Sequence, residues 1–314
     1  MRALRIGTRG STLARWQASA VEAAIAATGG PQCEQVIIKT SGDRLGTTFL
    51  SDVGGKRLFV KEIEEALLDG SVDLAVHSAK DLPAELPSGL TVSGTLPRGD
   101  PSDVLALPGK DAQLSTSTGS AVFAAISPTG RVGTGSIRRV AQLSNAFPDA
   151  TFAPIRGNVE TRLRKLDEGS YDVIVLAAAG LIRLGLADRI SAHLSYEECV
   201  PAPGQGIVAI ETRASDPATA EIVKRLTDRR TTTALEAERA LVAALGGGCQ
   251  VPIGAIALPA DTSLTLTAVV ASPDGTQMLR RHGKGLAHAA NQLGREVAEQ
   301  LIADGAADIL AGCR

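Results

Sequence analysis

The residues best suited to chemistry are one thiol, an acid beside a base, and a set of arginines. Cys249 stands between Gly246-Gly247-Gly248 and Gln250-Val251-Pro252. Glycines let a bulky group approach the backbone, and proline cannot continue a helix, so this thiol belongs to a loop. Loops on rigid scaffolds tend to carry chemistry. The same pattern also suits a helix C-cap followed by a buried apolar cysteine.

The acid and base are Lys80 and Asp81, in His77-Ser78-Ala79-Lys80-Asp81-Leu82-Pro83. They lie just past an apolar run that reads as a strand, where open α/β sheets bind ligands. Standing alone, the pair reads as a solvated ion pair. His77 reads as a packed strand end, since no second ligand lies at metal-binding spacing.

The arginines cluster by type of position. Gly133-Thr134-Gly135-Ser136-Ile137-Arg138-Arg139 opens like a dinucleotide fingerprint, but Arg138 fills the place of the third glycine. What remains is an anion-binding helix start capped by Ser136, with Thr134 just before it. Two cations in a first turn oppose the helix dipole, so Arg138 and Arg139 read as aimed at a ligand. Arg9 and Ser11 stand at another strand-to-helix turn, and Arg156 ends a strand. By pattern alone Arg162 and Arg183, further into helices, are ordinary surface residues.

Strand and helix patterns alternate twice to position these groups. Strands are expected near 4–7, 35–40, 72–77 and 90–96, and again near 104–107, 151–155 and 171–177, with helices near 12–27, 59–68, 159–168 and 178–184. Such alternation predicts parallel sheets covered on both faces. Two Pro/Gly-rich stretches, 97–101 and 201–206, read as crossings between the two regions. A third region, with two helices, three strands and a last helix, reads as a small α+β domain. The expected division is 1–98 with 201–215, then 99–200, then 216–314. The stretch 41–59 is glycine-rich and poor in apolar residues, which predicts a mobile lid. The stretch 109–130 has no clear assignment.

With 314 residues and a net charge of −2, the chain has room for two or three domains and lacks the basic character of a general nucleic-acid binder. Aromatic residues make up only 3 %, too few for base-stacking platforms. Cys33, Cys199, Cys249 and Cys313 form no metal-binding spacing, and no leader or membrane-spanning run is visible, so a cytosolic protein with reduced thiols is expected.

Taken together, these motifs closely resemble the hydroxymethylbilane synthase (porphobilinogen deaminase) family over essentially the whole chain. The resemblance rests on Thr8-Arg9 to Gln17, on Gly54-Gly55-Lys56 with 58–62, on 77–83, and on 132–139. It continues through Arg156-Gly157-Asn158-Val159 with 161–163, then 179–186, 201–206 and 247–254. It implies two periplasmic-binding-protein-like βα domains around a cleft and the α+β C-terminal domain. It implies head-to-tail condensation of four porphobilinogen molecules with loss of ammonia, then hydrolytic release of linear hydroxymethylbilane for tetrapyrrole and haem synthesis. It further implies a dipyrromethane cofactor joined by a thioether to Cys249, held by Lys80, Asp81, Thr134, Ser136, Arg138 and Arg139. Arg9, Ser11, Arg156, Arg162 and Arg183 are the implied substrate contacts, and Asp81 the implied catalytic carboxylate. A cytoplasmic monomer without metal, nucleic-acid or membrane partner is implied as well. Arg57 and Gly135 stand where glycine and serine are expected.

Two rival readings remain from the residues alone. A non-catalytic two-lobed binding protein for an anionic metabolite needs neither the thiol nor a third domain. A cysteine-nucleophile acyltransferase wants a histidine beside Cys249, and none is near in sequence.

Overall fold

The computed structural model describes residues 2–44, 60–109, 119–125, 130–247 and 251–313. Cys249 lies outside them, as do the expected lid from residue 45 onward and much of 109–130.

The chain begins with β1 (Leu4–Thr8), α1 (Thr12–Ala27) and β2 (Cys33–Ile37). Ser11 caps α1, its hydroxyl accepting from the Ala14 N–H at 3.3 Å. Ala14, Ala18, Val21 and Ile25 recur at helical spacing and are buried. Ala18, Val21 and Ile25 meet Leu4, Ile6, Leu74 and Val76 in the first-lobe core. Then come a single turn α2 (Ser41–Arg44), α3 (Lys61–Leu68), β3 (Leu74–Ser78) and β4 (Leu90–Thr95). Beyond the first crossing lie β5 (Asp103–Ala106), α4 (Gly119–Ala125), β6 (Arg131–Gly133), α5 (Ile137–Ala146) and β7 (Thr151–Ala153). They continue into α6 (Val159–Asp167), β8 (Val173–Ala177), α7 (Ala178–Arg183) and β9 (Ala192–His193). The chain returns to β10 (Val208–Arg213) and α8 (Pro217–Leu226). The last part holds α9 (Arg229–Ala244), β11 (Ile253–Ala260), β12 (Ser263–Ala271), β13 (Met278–Leu286), α10 (Ala290–Ala303) and α11 (Ala306–Ala311).

The first sheet has the order β2-β1-β3-β10-β4 and the second β7-β6-β8-β5-β9. Both are mixed rather than parallel, which corrects the expectation from strand–helix alternation. β10 is antiparallel to β3 and β5 is antiparallel to β8. The crossings explain this. Each enters its sheet at the end where the parallel strands finish, so Val208 at the start of β10 faces Ser78 at the end of β3. In the same way Asp103 at the start of β5 faces Ala177 at the end of β8. The third sheet, β11-β12-β13, is antiparallel and packs on α9 and α10 through Leu241, Leu266, Leu293 and Val297.

A second correction concerns α8, expected in the third region. Val223 is fully buried in the core of the first lobe, beside Val208 and Ile210, so the chain to Leu226 packs with the first sheet. His77 is buried as read, its Nε2 3.0 Å from Glu211 Oε2 on β10.

Both crossings are held tightly. Gly204 has φ of 77°, and a Cβ there would stand 2.9 Å from Ala79 C and Lys80 N. Gly206 has φ of 82°, and its carbonyl accepts from the Gly99 N–H at 2.9 Å. Only glycine meets both the left-handed backbone and the close approach. Glu238 on α9 ties the third region to both crossings. Its carboxylate accepts from Arg98 Nη1 at 2.6 Å, from the Gly204 N–H at 2.5 Å and from the Ala257 N–H at 2.8 Å.

Candidate active site

The groups singled out by type gather where the parallel strands of the two sheets end. Arg9 and Ser11 follow β1, Lys80 and Asp81 form a short 3-10 turn (Ala79–Asp81) after β3, and Thr134 and Ser136 follow β6. Arg156 follows β7 and Arg183 closes α7 after β8. Strand C-termini facing a crevice are the ligand-binding edge of such sheets.

Two cavities open there. The larger, of about 920 Å³, lies between the lobes and is lined by Arg9, Ser11, Asp81, Arg139, Arg162 and Arg183, among others. The smaller, of about 490 Å³, lies between the lobes and the third region. Ser136 and Arg138 line it together with the apolar Leu82, Leu235, Val242, Val251 and Ile253. Lys80, Gly135 and Arg156 line both. Val242 precedes the Cys249 loop, and Val251 and Ile253 follow it. Thr134 lines neither cavity; it is buried, its hydroxyl accepting from the Ser136 N–H at 3.2 Å.

Arg138 and Arg139 are positioned by a residue the sequence reading did not single out. Asp103, at the start of β5, is fully buried. Arg138 Nη1 donates to its Oδ2 at 2.7 Å, and Arg139 donates to its Oδ1 from Nε at 3.0 Å and Nη2 at 2.8 Å. Burial alone would raise the Asp103 carboxyl, but the two guanidiniums outweigh it and hold it well below the usual carboxylate range. So the cations do not simply oppose the α5 dipole, as their positions in sequence suggested. A buried counter-charge 35 residues away compensates them. Asp81 is therefore not the only carboxylate beside these groups.

Compensation is incomplete on Arg138. Nη1 also donates to Val200 O at 2.6 Å, yet Nε and Nη2 are buried without a hydrogen-bond partner. A buried donor left unpaired costs about 1–3 kcal/mol, so such a group is a place where a ligand would repay the protein. On Arg139 every nitrogen has a partner, Nη1 donating to Val175 O at 2.8 Å, but these bonds use three of its five N–H groups, and the side chain lines the larger cavity.

The remaining cations differ in their surroundings. Burial, then the Arg139 charge, brings the Lys80 ammonium down to about 8, against the pull of Asp81 and Asp103. Burial, then Arg139 and Arg156, brings Arg162 down to about 10, with Asp81 opposing. Arg162 Nε donates to Gly157 O at 2.8 Å. Arg183 is lowered by burial; its Nη2 donates to Gly206 O at 2.7 Å, and its Cζ lies 5.4 Å from the Trp16 ring centroid. Neither Arg162 nor Arg183 is an ordinary surface residue, because both line the larger cavity. Such a concentration of cations, outnumbering the carboxylates Asp81, Asp103 and Glu160 beside them, suits a ligand bearing several carboxylates, which guanidiniums bind in pairs. Among the described residues no group of His, Cys, Asp and Glu could hold a metal, and no helix is long and apolar enough to cross a membrane.

Sequence reasoning also passed over Gln205, Cys199 and Glu238. Gln205 sat inside the Pro/Gly-rich motif 201–206 but carried no charge to mark it. Cys199 is buried, its thiol pushed up to about 12 by burial and Asp103, and it donates to Asp103 Oδ2 at 3.3 Å.

Comparison with known proteins supplies the family. Residues 4–221 match the model for the porphobilinogen deaminase, dipyromethane cofactor binding domain, and residues 232–303 match that for the porphobilinogen deaminase C-terminal domain. The chain is 46 % identical over 310 residues to porphobilinogen deaminase of Syntrophobacter fumaroxidans, covering 98 % of this chain and 97 % of that protein. It is 45 % identical over 308 residues to the Moorella thermoacetica protein of the same name, covering 98 % and 95 %. Among solved structures it is similar to the BvgS VFT2 domain of Bordetella pertussis (TM-score 0.41, 14 % identity, 71 % of this chain and 86 % of that one). It is also similar to GlnP substrate binding domain 2 of Lactococcus lactis (TM-score 0.42, 12 % identity, 78 % and 91 %).

Proposed function

From the premise that the chain belongs to the porphobilinogen deaminase family, we propose how its own side chains divide the work of that reaction. The activity is hydroxymethylbilane synthesis: four porphobilinogens are joined head to tail with loss of ammonia, and the linear product is freed by hydrolysis. The non-catalytic binding protein and the acyltransferase fall with the family match.

The residues fit a dipyrromethane. Cys249 is the attachment point, and the smaller cavity, lined by Val242, Val251 and Ile253, which flank that residue in sequence, would receive the rings. The observation that carries this reading is Arg138, whose buried Nε and Nη2 lack a partner inside the protein. A carboxylate of the cofactor would accept from them. Lys80, Arg139, Thr134 and Ser136 complete the grip, Thr134 by shaping the turn from behind. When bound, the group supplies the pyrrole α-carbon from which the chain grows.

Arg9, Ser11, Arg156, Arg162 and Arg183 take the acetate and propionate of incoming porphobilinogen. Asp81 is the catalytic carboxylate. Loss of ammonia from porphobilinogen, driven by the pyrrole nitrogen lone pair, leaves an azafulvenium cation. A fixed carboxylate accepting from the pyrrole N–H offsets that charge where it develops. After the carbon–carbon bond forms, Asp81 takes up the proton lost as the ring regains aromaticity. The reading includes a monomer acting in the cytoplasm on free porphobilinogen, without nucleic acid or membrane; the near-neutral net charge supports the absence of a nucleic-acid partner. It divides the chain into a first lobe of 1–98 with 201–226, a second of 99–200, and a C-terminal domain from α9 onward.

The test follows ammonia release on adding porphobilinogen, together with intact mass. The wild type should release ammonia and exceed its sequence mass by two linked pyrrole units. Cys249→Ala should lose both. An active wild type of bare sequence mass would refute the covalent assignment.

A further inference from the structure

Gln205 is placed to do something the reading above leaves open. It lies in the returning crossing, 1 % exposed. Its Nε2 donates to Pro101 O at 2.8 Å in the first crossing and to Asp103 Oδ1 at 2.9 Å in the second lobe. Its Oε1 accepts from Lys80 Nζ of the first lobe at 3.3 Å. Its backbone carbonyl accepts from Arg98 Nε at 2.9 Å. One side chain thus joins Lys80 to Asp103, and Asp103 is the carboxylate that holds Arg138 and Arg139.

The chemistry of this position is restrictive. The group must accept from an ammonium on one side and donate to a carboxylate and a carbonyl on the other, at fixed reach. A primary amide does both; a carboxylate can only accept, and an alkyl group does neither. These partners fix the amide orientation, with oxygen toward Lys80 and nitrogen toward Asp103. The backbone reinforces the contact, since the close approach at Gly204 seats the crossing against Ala79 and Lys80.

We propose that Gln205 is a positioning residue that sets Lys80 of the first lobe and the Arg138–Arg139 pair of the second at one spacing, so that a ligand's carboxylates are gripped from both lobes together. The proposal rests on the reading of Lys80, Arg138 and Arg139 as cofactor contacts. Gln205 touches no ligand itself and works through these cations. The charged groups facing Lys80 are Asp81 on its own turn, Asp103 on β5, and Arg138 and Arg139 on α5. Among them the neutral Gln205 oxygen is a direct acceptor for the ammonium. Its loss should lower the Lys80 pKa from about 8, while a carboxylate in its place should raise it.

The experiment compares holoenzymes of wild type, Gln205→Leu and Gln205→Glu. Lys80 is titrated directly, by acylating the protein across a pH series and reading the modified Lys80 peptide by mass spectrometry. Cofactor loading is read by intact mass, and kcat by product formation. The Lys80 midpoint should move down in Gln205→Leu and up in Gln205→Glu. Both variants should lose roughly 10- to 100-fold in kcat, as for catalytic groups displaced by about an ångström. A purely structural role would lower thermal stability in both without moving Lys80 in opposite directions. An unmoved Lys80 midpoint in both variants overturns the link itself. A shifted midpoint with normal loading and kcat overturns the role of Lys80 in the site, and with it the positioning role. Gln205→Asn, shorter by one methylene, gives the same readout should the leucine variant not fold; it should behave as the leucine variant does.

Discussion

The guanidinium of Arg183 in the second lobe lies over the ring of Trp16 in the first, with Cζ 5.4 Å from the ring centroid. This contact joins α7 to α1 beside the larger cavity, which Arg183 lines. It is worth about 0.5–1 kcal/mol at an exposed site, so a substrate carboxylate can draw Arg183 away. Trp16 is the only tryptophan in the chain, so its emission is read without overlap from another indole. Porphobilinogen should change Trp16 emission in the wild-type holoenzyme. Arg183→Leu should shift the resting emission, abolish most of the response and raise KM roughly tenfold, the loss of one charge-assisted hydrogen bond. Emission unaffected by substrate in the wild type would show that Arg183 stays on Trp16.

Asp81 should be far more sensitive to charge than to size. Asp81→Asn keeps the shape and removes the charge, so turnover should fall roughly 10²–10³-fold or more, as when one preorganised stabilising group is lost. Asp81→Glu keeps the charge one methylene away and should retain more activity than the asparagine variant. Single-turnover measurement on cofactor-loaded protein separates this from failed assembly. Wild-type turnover in loaded Asp81→Asn would move the role to another acid.

Asp103 makes a prediction about pH. Its carboxyl is held below the usual range by Arg138 and Arg139, so its contribution to stability is complete above the unfolded value of about 4. That contribution is lost as pH falls through the depressed folded value. Asp103→Asn leaves two buried guanidiniums without their counter-charge and should cost about 3–5 kcal/mol at pH 7. Urea unfolding at several pH values should show the gap between variant and wild type narrowing below pH of about 4. A constant gap would contradict the assignment.

Glu238 tests how the two crossings are held. Both of its oxygens accept, from Arg98, Gly204 and Ala257, so the NH₂ of a glutamine would face another donor. Glu238→Gln should therefore destabilise the protein by several kcal/mol, about 3 at least. Hydrogen exchange should rise in 97–101 and 201–206 more than in the central strands. Uniform loss of protection would mean that the clamp has no local role.

Local patterns were legible in the sequence where they repeat. α1 runs from Thr12 to Ala27, as periodicity predicts, because it buries one face at a regular interval. The strand-end positions of Lys80 and Arg156 were legible too, since those residues follow apolar runs closely, and Arg139 was legible as a first-turn residue of α5. Strand direction was not, because an apolar run such as that of β5 or β10 reads alike either way along a sheet. The counter-charge of Arg138 was hidden because Asp103 looks like an ordinary residue before a strand until the fold brings it across. Pattern alone passed over Arg162 and Arg183, which the family resemblance implied, because helix position does not say which face meets the cleft.

The place of β10 between β3 and β4 has a consequence for how the protein is made. Among the described residues β4 pairs with no strand other than β10, which the chain reaches only after the whole second lobe. A ribosome therefore delivers the second sheet, complete between residues 103 and 193, while the first still lacks a central strand. Domains generally fold as units during synthesis. The N-terminal lobe, though begun first, is finished second, and its β4 waits as an unpaired edge until residue 213 emerges.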